Sequence, residues 1–96
     1  MSRPDPPYAI RAGHEWVAVP DTGWRLALPE EAAERKCRRN PRHPCPGTPV
    51  AALDRPRWWR GERVTSWWFY CAEHMFGRWI EDGVIMSWRV RAKEAR

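Results

Sequence analysis

Long hydrophobic runs are missing from this 96-residue sequence. No stretch approaches the roughly 18–20 consecutive apolar residues that a membrane-spanning helix requires. The first seven residues also lack the apolar segment of a signal peptide and read instead as a proline-rich, disordered lead-in. We therefore expect a soluble, cytoplasmic protein.

Cysteine is scarce as well, with only three in the chain. An odd number cannot be fully used in intramolecular disulfides, and cytoplasmic thiols stay reduced. The three thiols are therefore better candidates for metal ligands than for a disulfide framework.

Phenylalanine and tyrosine number two each, whereas the chain has eight tryptophans. Each indole buries a large area, so a small core can be built from few side chains. Ten prolines and a mean hydropathy of −0.78 indicate long loops around that core. A chain of this length buries a modest share of its surface, and a metal would help to stabilise it.

The first third of the chain predicts β structure followed by a short helix. Segments 15–19 and 24–28 flank Pro20-Asp21-Thr22-Gly23, a sequence that suits a tight turn, and should form an N-terminal hairpin. Segment 8–10 is a candidate third strand. Segment 29–36 has proline and acidic residues at its start and basic residues at its end, which favours a helix.

The remainder predicts a second hairpin, a helix and a closing strand. Segments 50–53 and 64–70 should pair, with a long basic tip between them. Segment 72–81 predicts a helix closed by Gly83, and 84–90 alternates as a strand does. The helix prediction rests on one apolar stripe with helical spacing: Ala72, Met75, Phe76, Trp79 and Ile80.

Four residues have the chemistry and spacing of a metal site. Cys71 and His74 form a C-x2-H pair where the predicted strand becomes a helix, so both side chains should face the same way. Cys37 and Cys45 precede them, which gives C-x7-C-x25-C-x2-H and uses every cysteine. Three soft thiolates and one imidazole predict a closed, structural zinc site. His43 is the alternative to Cys45 as fourth ligand.

A simpler interpretation treats Cys71 as a buried core residue, His74 as a surface histidine and the other two cysteines as incidental. The order of elements favours the metal. A loop with two ligands, a β-hairpin and a helix whose first turn carries two more resembles the treble-clef zinc finger over residues 37–82. The resemblance departs from the family at the first pair, which is spread over seven residues instead of a tight C-x2-C.

These patterns predict one α+β domain over residues 8–91, stabilised by zinc. It would combine the N-terminal β-hairpin, a treble-clef-like core (loop, β-hairpin and helix) within 37–82, and the closing strand. Residues 92–96 form a charged tail.

The positive charge of the chain is concentrated in its middle. The net charge is +5, yet residues 35–63 contain nine basic residues against two acidic ones. Within that stretch, arginines alternate with neighbouring tryptophans, a combination suited to phosphates and unstacked bases. The candidate nucleic-acid-binding residues are Arg38, Arg39, Arg42, Arg55, Arg57, Trp58, Trp59, Arg60 and Arg63. The alternative is that Trp58 or Trp59 folds back on the core and the arginines form a solvated face.

Residues 67–83 are similar to a segment of small uncharacterised proteins of actinobacteria and their phages. The shared features are an aromatic strand, the Cys-x-x-His pair, an aromatic-Gly-Arg step at 76–78 and an acidic-Gly turn at 82–83. The resemblance implies a phage or mobile-element setting and supplies no activity. We expect a non-enzymatic module that binds DNA or RNA, and the second hypothesis is a protein-binding factor that inhibits or redirects a host enzyme or defence system.

Overall fold

The computed structural model describes residues 3–38, 42 and 45–94. Within them, two three-stranded antiparallel sheets and a separate two-stranded hairpin account for most of the regular structure. A single 3-10 turn, Ala72–His74, connects two of the strands. In chain order the elements are β1 His14–Pro20, β2 Trp24–Leu26, α1 Pro29–Glu34, β3 Pro49–Asp54, β4 Arg57–Trp59, β5 Glu62–Val64, β6 Trp67–Cys71, β7 Trp79–Glu81 and β8 Val84–Ala92.

The first sheet has the order β1-β8-β7. The β1–β8 ladder runs from His14 opposite Ala92 to Pro20 opposite Met86. The closing strand predicted over 84–90 is therefore confirmed as β8. The rings of Trp79 and Trp88 pack 5.0 Å apart on this sheet.

The second sheet has the order β2-β3-β6 and carries most of the core. The predicted pairing of the segments around 50–53 and 64–70 is confirmed as β3 against β6. Its buried cluster consists of Trp24, Cys37, Ala51, Tyr70, Cys71, Met75 and Ile85. Since Ile85 belongs to β8, this cluster also joins the two sheets.

The basic tip between β3 and β6 is itself a hairpin formed by β4 and β5. Its two-residue turn, Arg60-Gly61, has φ values of 50° and 80°. Positive φ at both central residues is the signature of a type I′ turn, whose twist matches that of the flanking strands.

The helix predicted over 72–81 is wrong. The 3-10 turn ends at His74, and Phe76 and Gly77 then adopt left-handed backbone with φ of 53° and 79°. Two such residues stop a helix, and Trp79–Glu81 forms β7 instead. Asp82 and Gly83, with φ of 50° and 76°, make a tight turn that pairs Glu81 with Val84. The Asp-Gly dipeptide between apolar segments was therefore a hairpin signal and not a helix cap.

The predicted N-terminal hairpin is also wrong, although its turn forms. The Gly23 backbone N–H donates to Asp21 Oδ1 at 3.1 Å. The two strands then diverge, because β1 pairs with β8 and β2 pairs with β3. The ladder with β8 pairs seven residues of β1, whereas β2 has only three residues to offer. Segment 8–10 forms no strand, but the Tyr8 ring packs on Trp16 with centroids 4.8 Å apart.

The described part of the lead-in contacts the first sheet. The Arg3 guanidinium donates to both carboxylate oxygens of Glu81, with a shortest distance of 3.0 Å. Trp88 Nε1 donates to the Pro4 carbonyl at 3.0 Å. Residues 3 and 4 thus contact the two neighbouring strands β7 and β8.

The helix predicted at 29–36 is present as α1, Pro29–Glu34. No helix among the described residues is long and apolar enough to cross a membrane. Glu31 connects α1 to β2 and to the chain before the helix. Its carboxylate accepts two bonds from the Arg25 guanidinium, at 2.7 and 2.8 Å, and a third from the Leu28 backbone N–H at 3.0 Å.

These bonds make Glu31 a source of pH-dependent stability. The Arg25 hydrogen bond, supported by the Leu28 N–H, holds the pKa of Glu31 at about 2, below its ordinary value of 4.5. A carboxyl group with a lowered pKa stabilises the fold at pH values above its unfolded pKa, and this stabilisation is lost as the pH falls towards the folded pKa.

Glu31→Gln should therefore unfold at a lower urea concentration than the wild type. The difference between the two unfolding midpoints should be constant from neutral pH to about 4.5 and should narrow below that pH. Urea titrations at successive pH values test this. Glu30→Gln, an exposed neighbour on α1, is the matched control and should show little change.

Candidate metal centre

The structure brings Cys37, Cys45, Cys71 and His74 together. Their ligand atoms, three Sγ and one imidazole nitrogen, all lie within 4.8 Å of one another. His74 Nδ1 is 3.2 Å from Cys71 Sγ and 3.4 Å from Cys37 Sγ. Cys45 Sγ and Cys71 Sγ are 3.8 Å apart, too far for a disulfide, and the three cysteines are all thiols. This cluster could hold one metal ion.

Two local structures position the four ligands. Cys37 and Cys45 face each other in an isolated antiparallel bridge, which closes the loop between α1 and β3. Cys71 is the last residue of β6, and His74 ends the 3-10 turn that follows. Residues three apart in a 3-10 turn lie directly above one another, so the C-x2-H pair converges without the long helix that the sequence predicted.

Burial and backbone donors define the chemistry of the sulfurs. Cys37 and Cys71 are 2% and 5% exposed. Burial raises the pKa of the Cys71 thiol to about 11, with the neighbouring cysteines acting in the same direction and a Glu73 backbone hydrogen bond opposing them. Gly47 N donates to Cys45 Sγ at 3.3 Å. A cation at the centre would supply the charge that clustered, buried thiolates need.

Gly47 is part of this site, although no sequence motif indicated a role for it. A Cβ at this position would lie 2.9 Å from Cys71 Cβ, 3.0 Å from Cys71 Sγ and 3.3 Å from Cys45 Sγ. Only glycine therefore lets the backbone after Cys45 approach the second ligand pair. The Cys-Pro-Gly sequence at 45–47 is the signal that could have indicated it.

The predicted ligand set is thus found as one cluster, and treating Cys37 and Cys45 as incidental does not fit this geometry. His43, the alternative ligand, lies outside the described residues. The structure contains a loop, a β-hairpin and a C-x2-H turn in that order, but this does not confirm the predicted treble-clef core. The helix of that core is replaced by the 3-10 turn and β7.

The Arg/Trp hairpin, residues 57–64 of β4, β5 and their turn, extends the positive surface away from the core. Trp58 and Trp59 are 73% and 63% exposed, so the interpretation that either of them folds back on the core is wrong. Adjacent residues of a strand point to opposite faces, and each face of the hairpin therefore carries one indole. Arg57 and Arg60 are exposed beside them, with the Arg60 guanidinium 5.7 Å from the Trp59 ring centroid.

The other candidate arginines fall into separate places. Arg63 pairs with Asp54 at 3.3 Å, so its charge is partly compensated. Arg38 and Arg55 lie over the Trp68 ring, nearer the metal cluster. Arg42 is exposed, and Arg39 lies outside the described residues.

Comparison with family models, curated proteins and solved structures found no match for this chain. Its function is therefore argued from its own site and surfaces.

Proposed function

We propose that this chain is a zinc-stabilised, non-enzymatic module that binds DNA or RNA through its arginine- and tryptophan-rich surface. The observation that carries the proposal is the Arg/Trp hairpin, where two adjacent indoles are 73% and 63% exposed among arginines. The metal cluster anchors the sheet from which this hairpin projects.

Zinc is the ion that the cluster fits best. A tetrahedral ion with Zn–S bonds of about 2.3 Å and a Zn–N bond of about 2.0–2.1 Å needs S–S edges of about 3.8 Å and S–N edges of about 3.6 Å. The corresponding distances here are 3.8 Å for Cys45–Cys71 and 3.2–3.4 Å from His74 Nδ1 to two sulfurs. Three thiolates and one imidazole also match zinc better than hard, oxygen-preferring cations.

The ligand set argues for a structural role of the ion and against catalysis. Catalytic zinc keeps one coordination position for water or substrate. Four protein ligands whose atoms lie within 4.8 Å of one another would fill all four positions of a tetrahedral ion. The chain is therefore a binding protein, and the ion stabilises its fold.

The exposed indoles are explained by a nucleic-acid partner. Base–aromatic stacking contributes roughly 1–3 kcal/mol per base. Arginine neutralises phosphates and releases their counterions. Arg60 sits at a left-handed turn position where asparagine or glycine is preferred, and its φ is 50°. A strained position that carries a cation beside an exposed ring supports a binding role for that side chain.

A phage or mobile-element regulator is the setting that we propose for this module, and its support is the sequence resemblance over residues 67–83. The cellular location proposed with it is the cytoplasm.

Salt dependence of oligonucleotide binding tests the proposal. Labelled single-stranded DNA and RNA should bind with an affinity that falls steeply as salt rises, and Arg57→Ala or Arg60→Ala should each reduce the slope by about 0.7. Trp58→Ala should weaken binding about tenfold with little change in slope, because it removes stacking and not charge. Arg89→Ala, an exposed arginine on β8, is the charge-matched control and should leave the slope unchanged.

Equal slopes for all three arginine variants would contradict the Arg/Trp hairpin as the interface. Exposed tryptophan and arginine are also enriched at the centres of protein interfaces. A host-protein complex that survives nuclease treatment and depends on Trp58 would therefore favour the protein-binding alternative.

A further inference from the structure

A second feature lies between the metal cluster and the base of the Arg/Trp hairpin. It is a cleft of about 560 Å³, within the size range of small-molecule sites. Among the residues that the structure describes, aromatic rings, arginines and one leucine line it, and no carboxylate does. Its residues come from five separate parts of the chain, which is why no sequence pattern indicated it.

The aromatic side of the cleft is built around Phe76. Its ring is 5.0 Å from the Tyr70 ring, edge-on, and 6.5 Å from the Trp24 ring. Trp24 and Tyr70 are buried, whereas Phe76 is 58% exposed. The buried pair thus supports one ring that remains accessible from the cleft.

Phe76 is held there in an unfavourable conformation. Its φ of 53° is rare for a bulky residue. Arg78 stabilises the turn by donating to the Phe76 carbonyl at 2.9 Å and to Asp21 Oδ2 at 3.0 Å. A strained turn that presents an exposed ring to a cleft is the kind of outlier that points to ligand binding.

The other side of the cleft carries uncompensated positive charge. The guanidinium carbons of Arg38 and Arg55 lie 4.2 and 4.6 Å from the centroid of the Trp68 ring. They are therefore closer to each other than the Debye length, about 10 Å at 0.1 M salt. Among the residues that the structure describes, no carboxylate pairs with either of them. Two neighbouring cations without a counter-charge favour an anion between them.

We infer that this cleft binds one nucleotide, with the base against the Phe76 ring and the phosphate between Arg38 and Arg55. A flat aromatic group and a phosphate are the two chemistries that the opposite sides select. An apolar ligand would desolvate the arginines without compensation, and a cation would be repelled. Inorganic phosphate alone would leave the aromatic side unused.

The inference deepens the proposed function, on which it rests for its choice of ligand class. The nucleotide is either a free mononucleotide or one unstacked nucleotide of a single strand. The metal cluster fixes both sides of the cleft, because Arg38 follows Cys37 directly and Phe76 lies two residues after His74.

Calorimetric titration of the metal-loaded full chain tests the inference with three probes. These are nucleoside 5′-monophosphates, inorganic phosphate and a short single-stranded oligonucleotide. Phe76→Leu keeps an apolar side chain but removes the stacking face, and it should weaken nucleotide binding about tenfold. Phe76→Tyr should retain binding. The double variant Arg38→Ala/Arg55→Ala should abolish it, and phosphate alone should bind at least tenfold more weakly than a monophosphate.

The outcomes distinguish a free mononucleotide from one nucleotide of a single strand as the ligand of the cleft. Monophosphate binding that depends on Phe76 supports a free nucleotide. Oligonucleotide binding that depends on Phe76, without monophosphate binding, supports an unstacked nucleotide within a strand.

Other outcomes separate the cleft inference from the proposed function. If no probe responds to Phe76→Leu or to the arginine double variant while Arg57→Ala still lowers the salt slope, the cleft inference is overturned and the proposed function stands. If the cleft variants abolish oligonucleotide binding and the hairpin variants do not, the cleft inference stands and the Arg/Trp hairpin is not the nucleic-acid interface. If Phe76→Leu lowers the melting temperature, its binding result cannot be separated from the loss of stability. The double variant, which changes two exposed arginines, then tests whether the cleft binds a nucleotide.

Discussion

Removing the proposed zinc ion with excess chelator is expected to unfold the second sheet and the loop between α1 and β3. Structural zinc contributes roughly 10–16 kcal/mol of apparent binding free energy in small domains. The total stability of a domain is about 5–15 kcal/mol. Two of the ligands, Cys37 and Cys71, belong to the buried cluster itself, so loss of the ion also disturbs apolar packing. The eight tryptophans make fluorescence a sensitive probe, and elemental analysis should give one ion per chain.

Ligand variants should reproduce the chelator result. Cys71→Ser and His74→Ala are expected to lose the ion and to unfold at room temperature or well below the wild-type midpoint. His14→Ala removes the histidine at the start of β1, away from the cluster, and is the matched control. Cobalt substitution should give the visible absorption of tetrahedral Co²⁺ bound by thiolates. A chain that keeps its fold in chelator, or that binds no stoichiometric ion, would contradict the metal site.

Gly47→Ala is expected to weaken metal binding about 10- to 100-fold, the range typical of residues that hold metal ligands in position. Its Cβ would lie 2.9 Å from Cys71 Cβ, a separation that real Cβ atoms essentially never show. Relief would require Cys71 or the 45–47 loop to move. Cys71 ends a buried strand, so the loop carrying Cys45 should move, and the ligand tetrahedron would open. Competition with a chromogenic chelator measures the change.

Gly23→Ala is the control for this substitution. A Cβ at Gly23 meets only Asp21 Oδ1 at 3.5 Å, an ordinary contact, so metal affinity should be unchanged. Equal affinities for the two alanine variants would mean that the loop tolerates the added methyl, and Gly47 would then have no part in the site.

The ligands could be predicted from the sequence because their chemistry is scarce and local. Three thiols and a C-x2-H pair leave few combinations, and the structure brings that one set together. Strand β6, helix α1 and strand β8 were also predictable, since each depends on a local pattern of apolar or charged residues.

The wrong predictions have two physical origins: a backbone conformation that ends a locally favoured helix, and strand pairing between distant parts of the chain. The apolar stripe over 72–81 fits a helix, but left-handed Phe76 and Gly77 end the turn and the Asp82-Gly83 turn favours a hairpin. The N-terminal strands had a suitable turn between them, yet each found a different partner. The cleft was not predictable, because its residues meet only in the tertiary fold.

The pairing of β1 with β8 has a consequence for how the chain reaches its native state. This ladder joins residues 14–20 to residues 86–92, the largest sequence separation among the strand pairs of the described residues. Loop closure of this kind slows folding because its entropy is lost before the contacts are gained. An ion that links residues 37 and 74 would shorten the segment that remains to be closed. Metal capture before the ladder forms should therefore accelerate the pairing of β1 with β8, so the ion would act on the rate of folding as well as on stability.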